Sequence, residues 1–178
     1  SGGQRLFINS VEYTGDVHTA NNKATWTNNE TRLGRAMDGC ANGNYFNGYM
    51  DEVAVYDINL SASEINTIYT RGLSGLSNNI THNRLSFWKM DETSWITKDS
   101  TSNNNNGNVT NGVSHTDSGK INGADVFDGV DDYVEVPDDA SLDIAGSAFT
   151  VEAWVYPTTI SSGYEAVATK GNSFEAYL

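Results

Sequence analysis

The stretch Tyr45–Tyr69, YFNGYMDEVAVYDINLSASEINTIY, decides how this chain folds. Asn47-Gly48 is a turn signal, because both residue types tolerate positive φ. From Tyr49 to Asp57 the residues alternate as a strand does. Tyr49, Asp51, Val53 and Val55 fall on one face, and Met50, Glu52, Ala54 and Tyr56 on the other. Both faces are mainly apolar, which predicts a strand covered on both sides. Asp51 is the exception: a carboxylate in register with two valines, and a buried charge needs a partner or a cation. In Ser61-Ala62-Ser63-Glu64, Ser61 can cap a helix and Glu64 can reach back to it. Ile65, Ile68 and Tyr69 follow at i, i+3, i+4 spacing, so one short amphipathic helix over 61–70 closes the segment.

The same stretch resembles the C-terminal end of a laminin-G-like, or concanavalin A-like, jelly-roll domain of the bacterial pentraxin-related type. Phe46, Gly48, Met50, Asp51, Glu52, Val53, Val55, Tyr56, Leu60, Ser61, Glu64, Ile65, Ile68 and Tyr69 fit the pattern with which that family ends. Leu6–Ser10, LFINS, resembles the family's "LYVNG" strand and turn. Arg84–Glu92, RLSFWKMDE, resembles its first strand. Phe127–Pro137, FDGVDDYVEVP, and Phe149–Val155, FTVEAWV, resemble two further signatures of its first half. The resemblance implies an all-β fold, a two-sheet antiparallel jelly-roll sandwich with one helix near 61–70.

The order of the matches is unusual. Residues 1–72 resemble the end of a module, 84–178 resemble the beginning of one, and 73–83 form a connector rich in Gly, Ser and Asn. Such an order is what a cut through a tandem array of modules gives, with the central strands absent. First and last strands are neighbours in this family, so the two portions are expected to close as one permuted, incomplete sandwich. An open sheet edge would remain. The strand registers predict burial of Val53, Val55, Phe87, Met90, Phe127, Val134, Phe149, Val151, Ala153 and Val155.

Composition narrows the function classes. At 178 residues the chain is long enough for one well-buried domain and short for two. Net charge is −13, so a phosphate backbone or an anionic membrane surface is repelled, and nucleic-acid binding is excluded. No apolar run is long enough to span a bilayer, so no membrane insertion is expected. Cys40 is alone and cannot build a disulfide framework within the chain.

The resemblance implies a calcium site in which Asp51 lies near the loop after the first strand. Asp99, Asn103, Asn105 and Gly107 fall on that loop, and a carboxylate with an Asn/Gly loop offers the oxygens that calcium takes. Ser102 and Asn104 stand where the family has two glycines. Asn accepts a left-handed backbone more readily than Ser does. Asp128, Asp131 and Asp132 crowd one turn, where exposed aspartates serve as turn formers without a ligand. Trp26 and Trp95 lie in loops and are the expected ligand contacts, whereas Trp154 is a packing residue in the family.

For catalysis, adjacent pairs such as Asp51-Glu52 and Asp91-Glu92 point to opposite faces of a strand and cannot share a cleft. His18, His82 and His115 show no ligand spacing. The expected function is therefore a non-catalytic, calcium-supported module of a larger extracellular or cell-surface protein, binding a glycan or an extracellular protein in recognition or adhesion. A spacer repeat of a surface adhesin and an accessory domain of a glycoside hydrolase are the alternatives.

Overall fold

The computed structural model describes residues 5–13, 30–36, 45–71, 84–144, 148–159, 165–171 and 174–177. In chain order the strands are β1 (Leu6–Ile8), β2 (Val11–Tyr13), β3 (Thr31–Leu33) and β4 (Asn47–Tyr56), followed by helix α1 (Ala62–Arg71). Then come β5 (Arg84–Trp88), β6 (Ile96–Thr97), β7 (Gly107–Thr110), β8 (Ser114–Ile121), β9 (Gly123–Asp128) and β10 (Tyr133–Val136). A 3-10 turn at Ala140–Leu142 precedes β11 (Thr150–Pro157), β12 (Ala166–Lys170) and β13 (Phe174–Tyr177). The fold is a β-sandwich of the jelly-roll kind, all antiparallel, with one helix.

One sheet runs β13-β12-β3-β10-β7-β6. The other runs β11-β4-β9-β8, with β5 also paired to β4. β4 is the spine of the second sheet. One edge pairs with β11 along its length, while the other is shared, residues 47–50 pairing with β9 and 53–56 with β5. β3 sits in the same way between β10 and β12. Strands from residues 31–56 are thus inserted between strands from residues 84–170. β1 and β2 form a separate two-stranded ribbon. The connector 73–83 lies outside the described residues.

Between the sheets Met50, Val53, Val55, Trp88 and Phe127 meet Leu33, Val134, Val136, Val167 and Ala168 in one core. The alternation read from the sequence breaks at Glu52. Its φ is +54°, and the β4–β11 register steps there, so Glu52 and Val53 together oppose Ala153. This bulge re-aims the strand. Met50 faces the core with Val53 and Val55, and Asp51 leaves the face of the two valines for the outer one. Ala54 and Tyr56 share that outer face and pack with Leu60, Ile68 and Phe87 beneath α1. The helix starts as expected: Ser61 N donates to Glu64 Oε2 at 2.7 Å and Glu64 N returns a bond to Ser61 Oγ at 3.3 Å.

Val53, Val55, Phe87, Met90, Phe127 and Val134 are buried. Phe149, Val151, Ala153 and Val155, expected to match them, pack on the core only partly buried. Among the described residues β11 is the last strand of its sheet, so no described strand pairs with its far edge.

Candidate functional site

Three local features build one end of the sandwich. The first is the segment 117–122, where β8 turns into β9. Gly119 N donates to Asn122 O at 2.8 Å, and Asn122 has φ +63°. The approach is close enough that a Cβ on Gly119 would lie 1.8 Å from Gly123 O and 3.0 Å from Asp51 Oδ2. Only glycine permits this fold-over. The second feature is the turn after β5, where Asp91 Oδ1 accepts from Gly123 N at 2.9 Å. The third is His115, whose Cε1 would lie 2.5 Å from a Cβ on Gly123.

Together Asp91, His115, Asp117, Asn122 and Gly123 line an open cavity of about 390 Å³. His115 Nε2 lies 3.6 Å from the fully exposed carboxylate of Asp117, and Nδ1 lies 3.6 Å from Asp125 Oδ1. Both separations exceed hydrogen-bond length. Nδ1 is buried and has no hydrogen-bond partner. Behind the imidazole, Asp125 is buried and accepts from Thr97 Oγ1 at 3.3 Å. Burial pushes its carboxyl up to about 7.

Asp51 lies on the other side of the 117–122 turn. Its Oδ2 accepts from Ile121 N at 2.8 Å, whereas Oδ1 is buried without a partner. Burial first, and the nearby charge of Asp91, raise its pKa to about 6. Burial likewise raises Glu52 to about 7, with Asp51 and Asp91 adding to it. Trp154, opposite Asp51 on β11, stacks on Tyr69 at 5.4 Å and carries Lys120 Nζ 4.8 Å from its ring centre. Its indole fastens both α1 and the 117–122 turn to the sheet, which is the packing role expected for it.

The residues expected to share calcium separate into two clusters. Asp99 bridges Trp88, so β5 stands between it and β4, which bears Asp51. Asp99 Oδ1 accepts from Phe87 N and Thr101 N at 3.0 and 2.9 Å. Its Oδ2 accepts from Asn105 N at 2.9 Å and Thr101 Oγ1 at 2.8 Å. That carboxylate is satisfied by its own loop. Asn105 reaches Ser86 and Ser141 hydroxyls through Nδ2, and its carbonyl takes Trp88 Nε1 at 2.6 Å. Asn103 Nδ2 donates to Leu85 O at 2.8 Å. Gly107 is needed for packing, because a Cβ there would sit 2.4 Å from Val134 Cγ1. Asn104, not Ser102, takes the left-handed backbone, at φ +58°. Both oxygens of Asp99 are thus engaged by hydrogen bonds, whereas Asp51 keeps one buried oxygen without a partner, with Asp91 and Glu52 near it.

The carboxylates of Asp128, Asp131 and Asp132 approach within 4.8 Å of one another. Amides of Gly112, Asp128 and Val130 bond Asp132 and Asp128, so the turn itself accounts for two of the three. Trp95 is 74% exposed at the end of the loop that carries Asp91, just before β6, its carbonyl held by Val109 N at 2.9 Å. Trp26 lies outside the described residues. Sequence reasoning missed the cavity itself, and the paired signal for it was Gly119 and Gly123 on either side of a polar turn.

A family model described as the concanavalin A-like lectin/glucanases superfamily matches residues 1–66 and 128–178, well over half of the chain. The chain belongs to this superfamily. A laminin-G-like jelly roll of this kind suggests a carbohydrate-binding or related module. No curated protein and no solved structure matches with significance. Every cavity residue falls between 67 and 127, outside the matched segments. No helix among the described residues is long and apolar enough to cross a membrane.

Proposed function

We propose that this chain is a non-catalytic carbohydrate-binding module of a larger secreted or cell-surface protein, and that the glycan binds in the cavity of Asp91, His115, Asp117 and Asn122. The observation that carries this reading is the cavity: a concave site with convergent carboxylate, imidazole and amide groups, the kind that orients a polyhydroxylated ligand. Trp95 adds an exposed indole on the loop of Asp91, on which a sugar ring can stack. Two of the raised carboxyls, Asp125 and Glu152, are engaged in hydrogen bonds to Thr97 and Tyr56, which supports a binding role over acid–base work.

A structural calcium ion belongs to this reading at Asp51, whose open oxygen it would satisfy, holding the outer sheet face beneath the 117–122 turn. Asp91 and Glu52 are the further candidate ligands.

Calorimetric titration with a panel of neutral, amino and acidic oligosaccharides tests the module reading. Binding of at least one class is expected, and Trp95→Ala should weaken it roughly tenfold, as loss of a stacked ring does. If the panel gives no binding at all, the reading fails.

A further inference from the structure

The cavity carries charge as well as shape. Its walls hold two carboxylates, Asp91 and Asp117, which only accept, beside the Asn122 amide and the His115 imidazole, each of which offers a donor as well as an acceptor. Directly behind lie Asp125 and Asp51, whose carboxyls burial raises towards the protonated form, so the charge of the wall rests on Asp91 and Asp117. Lys120, on the 117–122 turn, has its ammonium held over Trp154. Lys89 acts on Glu52 from β5's end, not from the cavity wall. The chain as a whole has net charge −13. A concave acidic wall concentrates cations and repels anions.

We infer that the cavity selects sugars bearing a free ammonium group, that is, hexosamine units without an N-acetyl group, over neutral and uronic-acid sugars. This rests on the carbohydrate reading above and sharpens it. An ammonium offers three N–H donors and accepts nothing, which matches the two carboxylates of the wall. Asp91 is already oriented by Gly123 N, and Asp117 is exposed at the mouth, so one carboxylate is preorganised and the other meets the ligand first. An N-acetyl group would replace the cation by a neutral amide. A uronic acid would bring a third carboxylate against the first two.

Three oligosaccharides of equal length decide it: fully de-N-acetylated glucosamine oligomer, its N-acetylated counterpart, and an oligouronate, titrated into the chain at mildly acidic pH in the presence of a chelator. The amino oligomer is expected to bind about tenfold tighter than the N-acetylated one, the factor that one charge-assisted hydrogen bond supplies. The difference should shrink in about 1 M salt, where charges are screened beyond roughly 3 Å. Asp117→Asn should remove several-fold of the preference. Asp131→Asn deletes the same charge from the turn at the opposite end of β9, and should leave the preference unchanged.

Equal loss in both variants would mean that the ammonium sees only the net charge, and the site is overturned. Equal or tighter binding of the N-acetylated oligomer overturns the ammonium preference while leaving the carbohydrate reading standing. Failure of all three to bind overturns both.

Discussion

The hydroxyl of Tyr56 donates to Glu152 Oε1 at 2.6 Å, joining β4 to β11 across 96 positions of sequence. Glu152 is half-buried on the outer sheet face, and desolvation pushes its carboxyl up to about 7, against the lowering effects of Tyr56 and Arg84. Glu52 and Asp125 are raised to about 7 for the same reason, and Asp51 to about 6.

These shifts have one sign. A carboxyl raised in the folded state binds its proton more tightly there than in the unfolded chain, where Glu titrates near about 4.3. Its contribution is complete below that value and is lost as pH rises through the folded pKa. Thermal stability in chelator should therefore fall between about pH 4.5 and pH 7. Glu152→Gln, which can still accept from Tyr56, should flatten part of that slope. A melting temperature that climbs steadily over the window would contradict the burial of these groups.

Tyr56→Phe keeps the ring in its cluster with Ala54, Leu60, Ile68 and Phe87 but leaves Glu152 without its donor. A buried polar group left unpaired costs about 1–3 kcal/mol. Urea unfolding measures it, and the loss should be larger at pH 8 than at pH 5, because the ionised carboxylate suffers more.

Gly119→Ala tests the turn that frames the cavity. The added methyl would meet the backbone oxygen of Gly123 and the carboxylate of Asp51, neither of which can swing aside as a flexible side chain would. Overpacking of this kind costs about 1–3 kcal/mol. Glycan affinity should drop with it, since Asn122 and Gly123 are displaced. A variant with native stability and affinity would show that the turn does not set the site.

Calcium should raise the melting temperature of the native chain, and the increment should vanish in Asp51→Asn. In Asp99→Asn the protein should be weakened by loss of loop hydrogen bonds, yet the calcium increment should persist. A persistent increment in Asp51→Asn would move the ion elsewhere, with the Asp128–Asp132 turn as the next place to test.

The capping box at Ser61 and Glu64 was legible from sequence because its partners are three residues apart. Most of β4 was legible as a strand over 49–57 because side-chain alternation is local. Asn47-Gly48, read as a turn, instead lies inside the strand and pairs with Asp128 and Phe127. The signatures at 127–137 and 149–155 were legible through the family resemblance. The faces of β4 were only half legible. A bulge is a property of two strands in register, and nothing between Met50 and Val53 announces that Glu52 will take a left-handed backbone opposite Ala153. The half-exposure of Val151, Ala153 and Val155 was likewise invisible, since a strand's own pattern does not say whether it lies at the sheet's edge.

The sequence by itself determined the all-β class, strand 49–57 and the capped helix, while the two-sheet antiparallel sandwich came through the resemblance to the laminin-G-like family. Hydrophobic period, capping and turn residues act within a few positions of themselves. Only the tertiary structure decided that Asp99 serves its own loop while Asp51 keeps an open oxygen, because β5 runs between them. It also brought Asp91, His115, Asp117 and Asn122 to one cavity. Those residues carry no shared spacing; two glycines let a turn fold over a strand, and the walls of the site follow from that close approach.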